Sequence, residues 1–431
     1  MLDIKFIREN INLVKKNNKN KKIEVDLDLF LAFDDERKKL QMEIENLRNE
    51  RNKISKTKPT ETEIIEMRKL GEKLKDFEER FKNAETQFEK ILFKIPNIAD
   101  ISTPVGIDES ENKVIKEVGE KPKFDFKPKE HWELGKYLDV IDNEKAAEIA
   151  GSRFTYLKGK LVLLQFALVN LAFSILTDET ELKKIIEKNK LKVNSKPFIP
   201  VVPPVMIKTE VLHKMARLEP KEERYYIPCD DIFLIGSAEH TLGSMHMNEV
   251  IPENKMPIRY AGFSLAFRRE AGSYGKDTKG IIRVHQFDKL EMESFSLPEN
   301  SLEEQNFFVA IQEELMQLLW LPYRVVQICT GDMSGPDARQ IDIETWLPGQ
   351  NNYRETHTAD LMTDYQARRL KTKVKRNDGK NEFAHMNDAT AFAIGRTLVA
   401  IMENYQQKDG SIMVPKILKK FVNFNFITKG N

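Results

Sequence analysis

Residues 261–295 read AGFSLAFRREAGSYGKDTKGIIRVHQFDKLEMESF, and the rest of the chain is organised around them. Two apolar runs, 262–267 and 281–287, flank a polar, Gly-rich segment at 270–280. That pattern predicts two antiparallel strands joined by a loop too long for a tight turn. Loops of that length in compact domains are usually functional. Arg268 and Arg269 close the first strand, with Glu270 next, and Arg283 sits on the second strand. Glu291 and Glu293 lie further along the return strand. The planar guanidinium fork suits phosphate or carboxylate, which it can grip with two hydrogen bonds. Phe287 offers a flat apolar face to a base, and Arg268 and Arg283 could face each other across the ladder. The same charges would equally serve as cross-strand ion pairs in a hairpin with no ligand.

Composition narrows the choice. A chain of 431 residues is long enough for two or three domains. Its net charge of +1 gives no overall basic signature, so any nucleic-acid contact must come from a local patch. The two cysteines, Cys229 and Cys329, exclude a disulfide framework or a cysteine-based zinc site and fit a reducing compartment, the cytoplasm. The N-terminus carries no apolar signal core. The most apolar run, 161–176, is interrupted by Gln165, Asn170 and Ser174 and is shorter than the roughly 20 residues a membrane span needs, so it predicts a buried helix and no membrane partner.

Residues 1–19 predict a short helix. A long charged region follows. Phe33, Leu40, Ile44, Leu47 and Ile54 form one heptad seam, and Met67, Leu70, Leu74, Phe77, Phe81, Ala84, Phe88 and Ile91 form a second. Pro59 breaks the chain between them. Two helices with facing seams predict an antiparallel coiled-coil hairpin, with arms of about 30 residues projecting roughly 45 Å. Its tip is basic through Arg48, Arg51, Lys53, Lys56 and Lys58. Such a tip suits an RNA backbone, while the hairpin itself would also serve as a spacer or dimerisation element. Residues 97–129, with Pro104, Pro122 and Pro128, read as a loop-rich linker, and the domain boundary falls near Ser110. The domains are therefore 1–110 and 111–431.

Beyond the linker, 131–135 opens the second domain, and 179–189 predicts a charged helix. FIPVVPPVM at 198–206 predicts an edge strand, because proline cannot donate to a central ladder. IFLIGSAE at 232–239 predicts a strand ending in a small-residue turn; Glu239 reads as a surface carboxylate on the residues alone, although a carboxylate near a pocket can take an α-ammonium. Residues 321–330 and 341–348 predict further strands, and the helical pattern at 391–405 closes the chain.

FRREAGSYGKDTKGIIRVHQFDKLEME closely resembles motif 2 of the class II aminoacyl-tRNA synthetases, in the form used by the seryl-tRNA synthetases. The likeness extends to FIPVVPPVM as motif 1, where Pro203 and Pro204 match a proline pair, and to HMNDATAFAIGR, 385–396, as motif 3. It implies an α+β fold: an N-terminal antiparallel coiled-coil helical hairpin that binds tRNA, and an antiparallel β-sheet catalytic domain flanked by helices. It implies that Arg268 grips the α-phosphate and the substrate carboxylate. Glu270 would hold the adenine edge, Phe287 stack on the base and Arg283 reach the outer phosphates. Arg396 would lie against the nucleotide, and Arg269, Thr356 and His357 would complete the ATP set. For serine the likeness implies Ser237, Ala238, Glu239, Glu291, Asp388 and Thr390 beside Arg268. Glu355 and Thr358, in YRETHTADLMTDYQARR at 353–369, stand where the family holds Mg²⁺, and both offer hard oxygen ligands. The chain departs from the family's pattern at Ser237 (usually Thr), at Ala359 and Leu361 within a usual Ser-Ser-Cys-Ser-Asn run, and at Asp388 (usually Asn).

The implied activity is ligation of serine to tRNA(Ser), with tRNA(Sec) as a second candidate, by a homodimer using ATP and Mg²⁺. Two rival readings differ in testable features. A same-fold amino-acid ligase that loads a carrier protein lacks the long hairpin, which this chain has. A non-catalytic RNA-binding or coiled-coil paralogue would lose motif arginines, yet Arg268, Arg283 and Arg396 are all present.

Overall fold

The structure is a computed structural model that describes residues 1–54, 60–271 and 279–430. Lys56, Lys58 and the Pro59 breaker, and the loop segment 272–278, lie outside the described residues. The chain divides into two compact units, Met1–Ile98 and Ala99–Asn431. The division precedes the expected boundary at Ser110, because residues just beyond it bond to the second unit: Asp100 N–H donates to Ala338 O at 2.7 Å.

In the first unit the expected single N-terminal helix is two, α1 (Ile4–Glu9) and α2 (Ile11–Asn20). Asn10 interrupts them, its side-chain amide donating to Phe6 O at 3.0 Å in competition with the helix ladder. The arm is α3 (Leu27–Ile54) and α4 (Glu61–Leu92). Thr60 caps α4 in a capping box with Glu63. Both heptad seams turn inward: Leu40, Ile44, Leu74, Ala84 and Phe88 are buried. Phe30 stacks on Phe88 at 5.0 Å, and Arg48 pairs with Glu78 at 2.7 Å, a register that makes the helices antiparallel. At the base, the buried carboxylate of Asp34 takes Arg8, Arg37 and Lys38. Arg51 and Lys53 stand exposed near the end of α3.

The second unit is built on an eight-stranded sheet. Its strands in chain order are β1 (Lys113–Val118), β2 (Ile199–Val201), β3 (Ile258–Phe267), β4 (Gln286–Ser296), β5 (Tyr323–Gln327), β6 (Arg339–Leu347), β7 (Asn352–Thr363) and β8 (His385–Ala393). They lie in the order β1-β5-β6-β7-β8-β4-β3-β2, antiparallel throughout except that β2 runs parallel to β3. The Pro-rich stretch is thus the edge strand its prolines predict.

Three differences from the sequence reading have local causes. The linker contains β1, whose Lys and Glu side chains hide a strand with five exposed residues of six. The return strand starts at Gln286 and not at Ile281, so Arg283 is not on it. Ile281, Ile282 and Val284 are buried in the core instead, and the segment is tied to helices: Ile281 N–H donates to His131 Nε2 at 3.2 Å, and Asn143 Nδ2 donates to Gly280 O at 3.1 Å. Gly280, at φ +76°, could not carry a Cβ, which would lie 1.9 Å from His131 Nε2. Finally, 385–393 is a central strand, so the last helix begins at Ile394 and not at Ala391.

The helices that matter here are α5 (His131–Tyr137), α6 (Asn143–Ala150), α7 (Lys160–Leu176), α8 (Glu179–Asn189), α9 (Ser301–Leu318), α10 (Tyr365–Leu370) and α11 (Ile394–Asn404), beside two short ones, Thr209–Lys214 and Glu239–Leu242. α7, α9 and α11 cover one face of the sheet, where Leu290, Met292, Ile341, Ile343, Ala359 and Ala389 join Leu164, Leu168, Phe308, Ile311 and Leu398 in one core. α7 is the buried helix expected at 161–176. No single helix among the described residues is long and apolar enough to cross a membrane. Strand alternation sends the intervening residues to the other face, and there the cleft lies.

Candidate active site

Alternate residues of four central strands line one surface: Phe287, Lys289, Glu291 and Glu293 on β4, Asp388 and Thr390 on β8, Thr358 and Asp360 on β7, and Gln340 and Asp342 on β6. Register brings Glu293 opposite Asp388, Glu291 opposite Thr390, Asp360 opposite Asp388, and Asp342 opposite Thr358. Over this surface opens a cleft with a basic, partly apolar end and an acidic end.

At the basic end Arg268 leaves β3 just as the ladder closes. Its N–H donates to His285 O at 3.0 Å and its Nε to Gly236 O at 3.0 Å, so backbone fixes both ends of the side chain. Its guanidinium lies 5.4 Å from the centre of the Phe287 ring. Arg396, in the first turn of α11, donates through Nη1 to Glu355 O at 2.9 Å and lies 3.2 Å from Glu355 Oε1. Glu270, Ile281, Ile282, Val284 and Gly395 complete this end. Burial pushes the Glu355 carboxyl up, but Arg396, Arg268 and Lys289 outweigh it and leave it below its usual range. Arg283 pairs with Glu270 at 3.4 Å and lines an adjoining groove with Arg324, Arg354 and Arg396.

The acidic end is more deeply buried. Ser237 Oγ donates to Glu291 Oε1 at 2.5 Å, and Lys289 forms an ion pair with the same carboxylate. Glu239 lies against Arg217, whose Nε is 2.9 Å from Glu239 Oε1. Burial raises Glu239, but Arg217 above all holds it well below the usual carboxylate range. The opposite holds for Glu293, Asp360 and Asp388, which burial and then neighbouring carboxylates push well above that range. Like charges gathered out of water cannot all ionise.

Of the residues singled out in the sequence, Arg268, Glu270, Phe287, Glu355, Thr356, Thr358, Arg396, Glu239 and Thr390 line this one cleft. Ser237, Glu291 and Asp388 are buried against it through their partners Lys289 and Arg217. Four residues do not line it. His357 points to the helix-covered face, 5.9 Å from Phe392, where burial pushes it down to about 3. Ala238 is core. Arg269 lies 5.7 Å from the Tyr225 ring. Arg283 belongs to the adjoining groove. Sequence reasoning missed Lys289, which shares the alternation of Phe287 and Glu291 and could have been found from it. It also missed Arg217, Ser334, Asp337, Gln340 and Asp360, most of which come from distant loops and carry no local signal.

Residues 225–405 match the family model described as tRNA synthetase class II core domain (G, H, P, S and T), and residues 1–99 match the seryl-tRNA synthetase N-terminal domain. The serine–tRNA ligase of Thermodesulfovibrio yellowstonii is 40% identical over 440 residues, covering 99% of this chain and 100% of that one. That of Borrelia recurrentis is 39% identical over 444 residues, covering both chains fully. The crystal structure of seryl-tRNA synthetase from Pyrococcus horikoshii complexed with ATP superposes with a TM-score of 0.88 at 36% identity, covering 100% of each chain. The cytoplasmic serine–tRNA ligase of Naegleria fowleri in complex with AMP gives 0.83 at 30%, covering 100% of this chain and 99% of that one. The antiparallel sheet and its arginine-ended cleft are those of a class II aminoacyl-tRNA synthetase. Within that class the chain belongs to the seryl-tRNA synthetase family.

Proposed function

We infer that the chain activates L-serine with ATP and esterifies it to tRNA(Ser). In the first step a serine carboxylate oxygen attacks the α-phosphorus, and the bond to the bridging oxygen breaks, releasing pyrophosphate and leaving seryl-adenylate. In the second, a 3′-terminal ribose hydroxyl of the tRNA attacks the acyl carbon and AMP leaves. Neither step needs a covalent nucleophile from the protein. Positioning and charge neutralisation carry the reaction.

The observation that carries this reading is the division of one cleft into an arginine end and a carboxylate end on a single rigid sheet face. Arg268 would grip both the α-phosphate and the serine carboxylate. Phe287 and Arg396 would flank the adenine, with Glu270 at its edge and Arg283 toward the outer phosphates. Glu239 would take the α-ammonium. Glu291, with Ser237 and Thr390, would take the serine hydroxyl, and Asp388 would border the amino-acid pocket.

Mg²⁺ fits the donor set. Among the described residues no group of three or more His, Cys, Asp or Glu could hold a metal. A site supplied by few protein oxygens and completed by phosphates is what Mg²⁺ takes. Glu355 and Thr358 would hold it. Thr358 Oγ1 donates to Asp342 Oδ1 at 2.6 Å and accepts from Gln340 at 3.2 Å, which leaves one lone pair for a cation. When bound, the ion supplies charge neutralisation at the phosphates.

We assign tRNA binding to the arm within residues 1–110, through Arg48, Arg51, Lys53, Lys56 and Lys58, and catalysis to the remainder. The edge strand β2, with Ile199 exposed on it and Val202 exposed just beyond it, is the surface for a homodimer, and the cytoplasm is the protein's place of action. Charging of tRNA(Ser) and tRNA(Sec) transcripts with radiolabelled serine tests the assignment. Acid-precipitable seryl-tRNA(Ser) is expected, and ATP consumption without it would contradict transfer.

A further inference from the structure

We propose that Arg217 is a positioning residue of the amino-acid pocket, acting with Asp388 as one hydrogen-bonded unit that presents Glu239 to the substrate's α-ammonium. The proposal rests on the reading that this cleft takes serine.

Arg217 follows the short helix Thr209–Lys214. Its neighbours anchor it: Met215 and Leu218 are buried in separate apolar clusters, and Ala216 turns the chain at φ +57°. The side chain is thereby aimed into the cleft wall and is only 12% exposed. Besides its 2.9 Å approach to Glu239, its Nη2 lies 3.4 Å from Asp388 and 3.9 Å from both Asp337 and Asp360. Its Nη1 donates to Ser334 Oγ at 3.2 Å. One cation therefore lies within 4 Å of four carboxylates drawn from four separate segments. The other cation at this end, Lys289, is committed to Glu291.

The cluster keeps accepting capacity. Asp388 Oδ1, Asp360 Oδ1 and both carboxylate oxygens of Glu293 are buried without a hydrogen-bond partner. A substrate ammonium brings three donors to such a site. Arg217 settles which carboxylate stays charged to meet it. Its nearest contact, Glu239, is the one held ionised, while burial and neighbouring carboxylates push Asp388 toward its neutral form. Removing the guanidinium would leave Glu239 without its nearest cation, and its carboxylate would no longer be held in place for the ammonium. Lysine keeps the charge but, as a point donor, cannot reach Glu239, Asp388 and Ser334 together.

This geometry predicts a specific pattern in ATP–pyrophosphate exchange by the full chain, with serine and ATP varied separately. Arg217→Gln should raise the serine KM about tenfold or more while leaving the ATP KM within about twofold, and Arg217→Lys should fall between it and wild type. Asp388→Asn alters the side chain that accepts from Arg217 Nη2. The double variant Arg217→Gln/Asp388→Asn should therefore bind serine better than the product of the two single losses predicts. Equal rises in the serine and ATP KM would mean general loosening and would overturn the proposal, as would strict multiplicativity or an unchanged serine KM. Should Arg217→Gln fail to fold, Arg217→Lys with and without Asp388→Asn reads the same split and coupling. Wild-type exchange that ignores serine would instead refute the reading of the cleft, independently of Arg217.

Discussion

Thr358 and Thr390, on neighbouring strands, share one donor behind the sheet. The ladder between β7 and β8 ends at Ala359–Ala389. Just beyond it, Gln312 Nε2 of α9 donates to Thr358 O at 2.7 Å and to Thr390 O at 2.8 Å. A buried glutamine thus sets the spacing between a residue at the phosphate side of the cleft and one at the serine side. Gln312→Leu is expected to cost about 2–6 kcal/mol of stability, at roughly 1–3 kcal/mol for each of the two acceptors left unpaired. Urea unfolding checks the stability, and a rise in serine KM should accompany it. A variant of wild-type stability would show the two carbonyls to be satisfied without Gln312.

Arg268 is held by backbone at both ends and lies over Phe287. Arg268→Lys should reduce adenylate formation by about a hundredfold, the scale of losing one preorganised donor at a developing charge. Single-turnover adenylate formation measures it. A wild-type rate would remove Arg268 from its role at the α-phosphate.

Asp34 ties the base of the arm together through Arg8, Arg37 and Lys38. Burial pushes its carboxyl up, but Lys38 and Arg37 outweigh this and hold it below its usual value. A folded pKa below the unfolded one stabilises the unit above the unfolded pKa, near 4. That contribution fades as pH falls from about 4 through the folded value. Asp34→Asn should weaken hydrogen-exchange protection of α3 at pH 7 and flatten its loss below about pH 4. Equal protection in both proteins across that range would contradict it.

The arm is a compact unit with its own seam, so it should serve transfer and not activation. Replacing residues 35–90 with a short Gly-Ser turn should leave serine-dependent exchange near normal and abolish most charging of limiting tRNA. Residual charging should depend less on salt, because fewer phosphate contacts release fewer counterions. Unchanged charging would make the arm a spacer only. Loss of exchange as well would make it a support of the catalytic unit.

What could be read from the sequence was local and periodic. The two heptad seams, the Pro-rich edge strand and the arginine-ended hairpin each announce themselves within a few turns or residues, and all are present. The strand 385–393 did not, because on the central sheet both its faces are covered and its Ala-rich sequence fits a helix equally well. β1 was hidden for the opposite reason, as an edge strand of charged side chains. The site divides the same way. Residues spaced by two along β4 follow from alternation, whereas Ser334, Asp337 and Asp388 meet Arg217 only once the loops have closed over the sheet. His357 shows the cost of reading a run of residues as a unit, since its neighbours Thr356 and Thr358 line the cleft and it does not.

The central claim is that the acidic end of the cleft selects serine for activation. Glu291, held by Ser237 and Lys289, and Thr390 opposite it would lose a buried hydrogen-bond partner if the substrate lacked a hydroxyl. The most direct measurement is ATP–pyrophosphate exchange by the purified full chain with each of the standard amino acids in turn. Serine should support exchange at least about a hundredfold more efficiently than alanine, a hydroxyl-recognising site being able to reject the analogue by about 10⁴ or more. Comparable exchange with alanine and serine, or exchange with another amino acid and not with serine, would contradict the account.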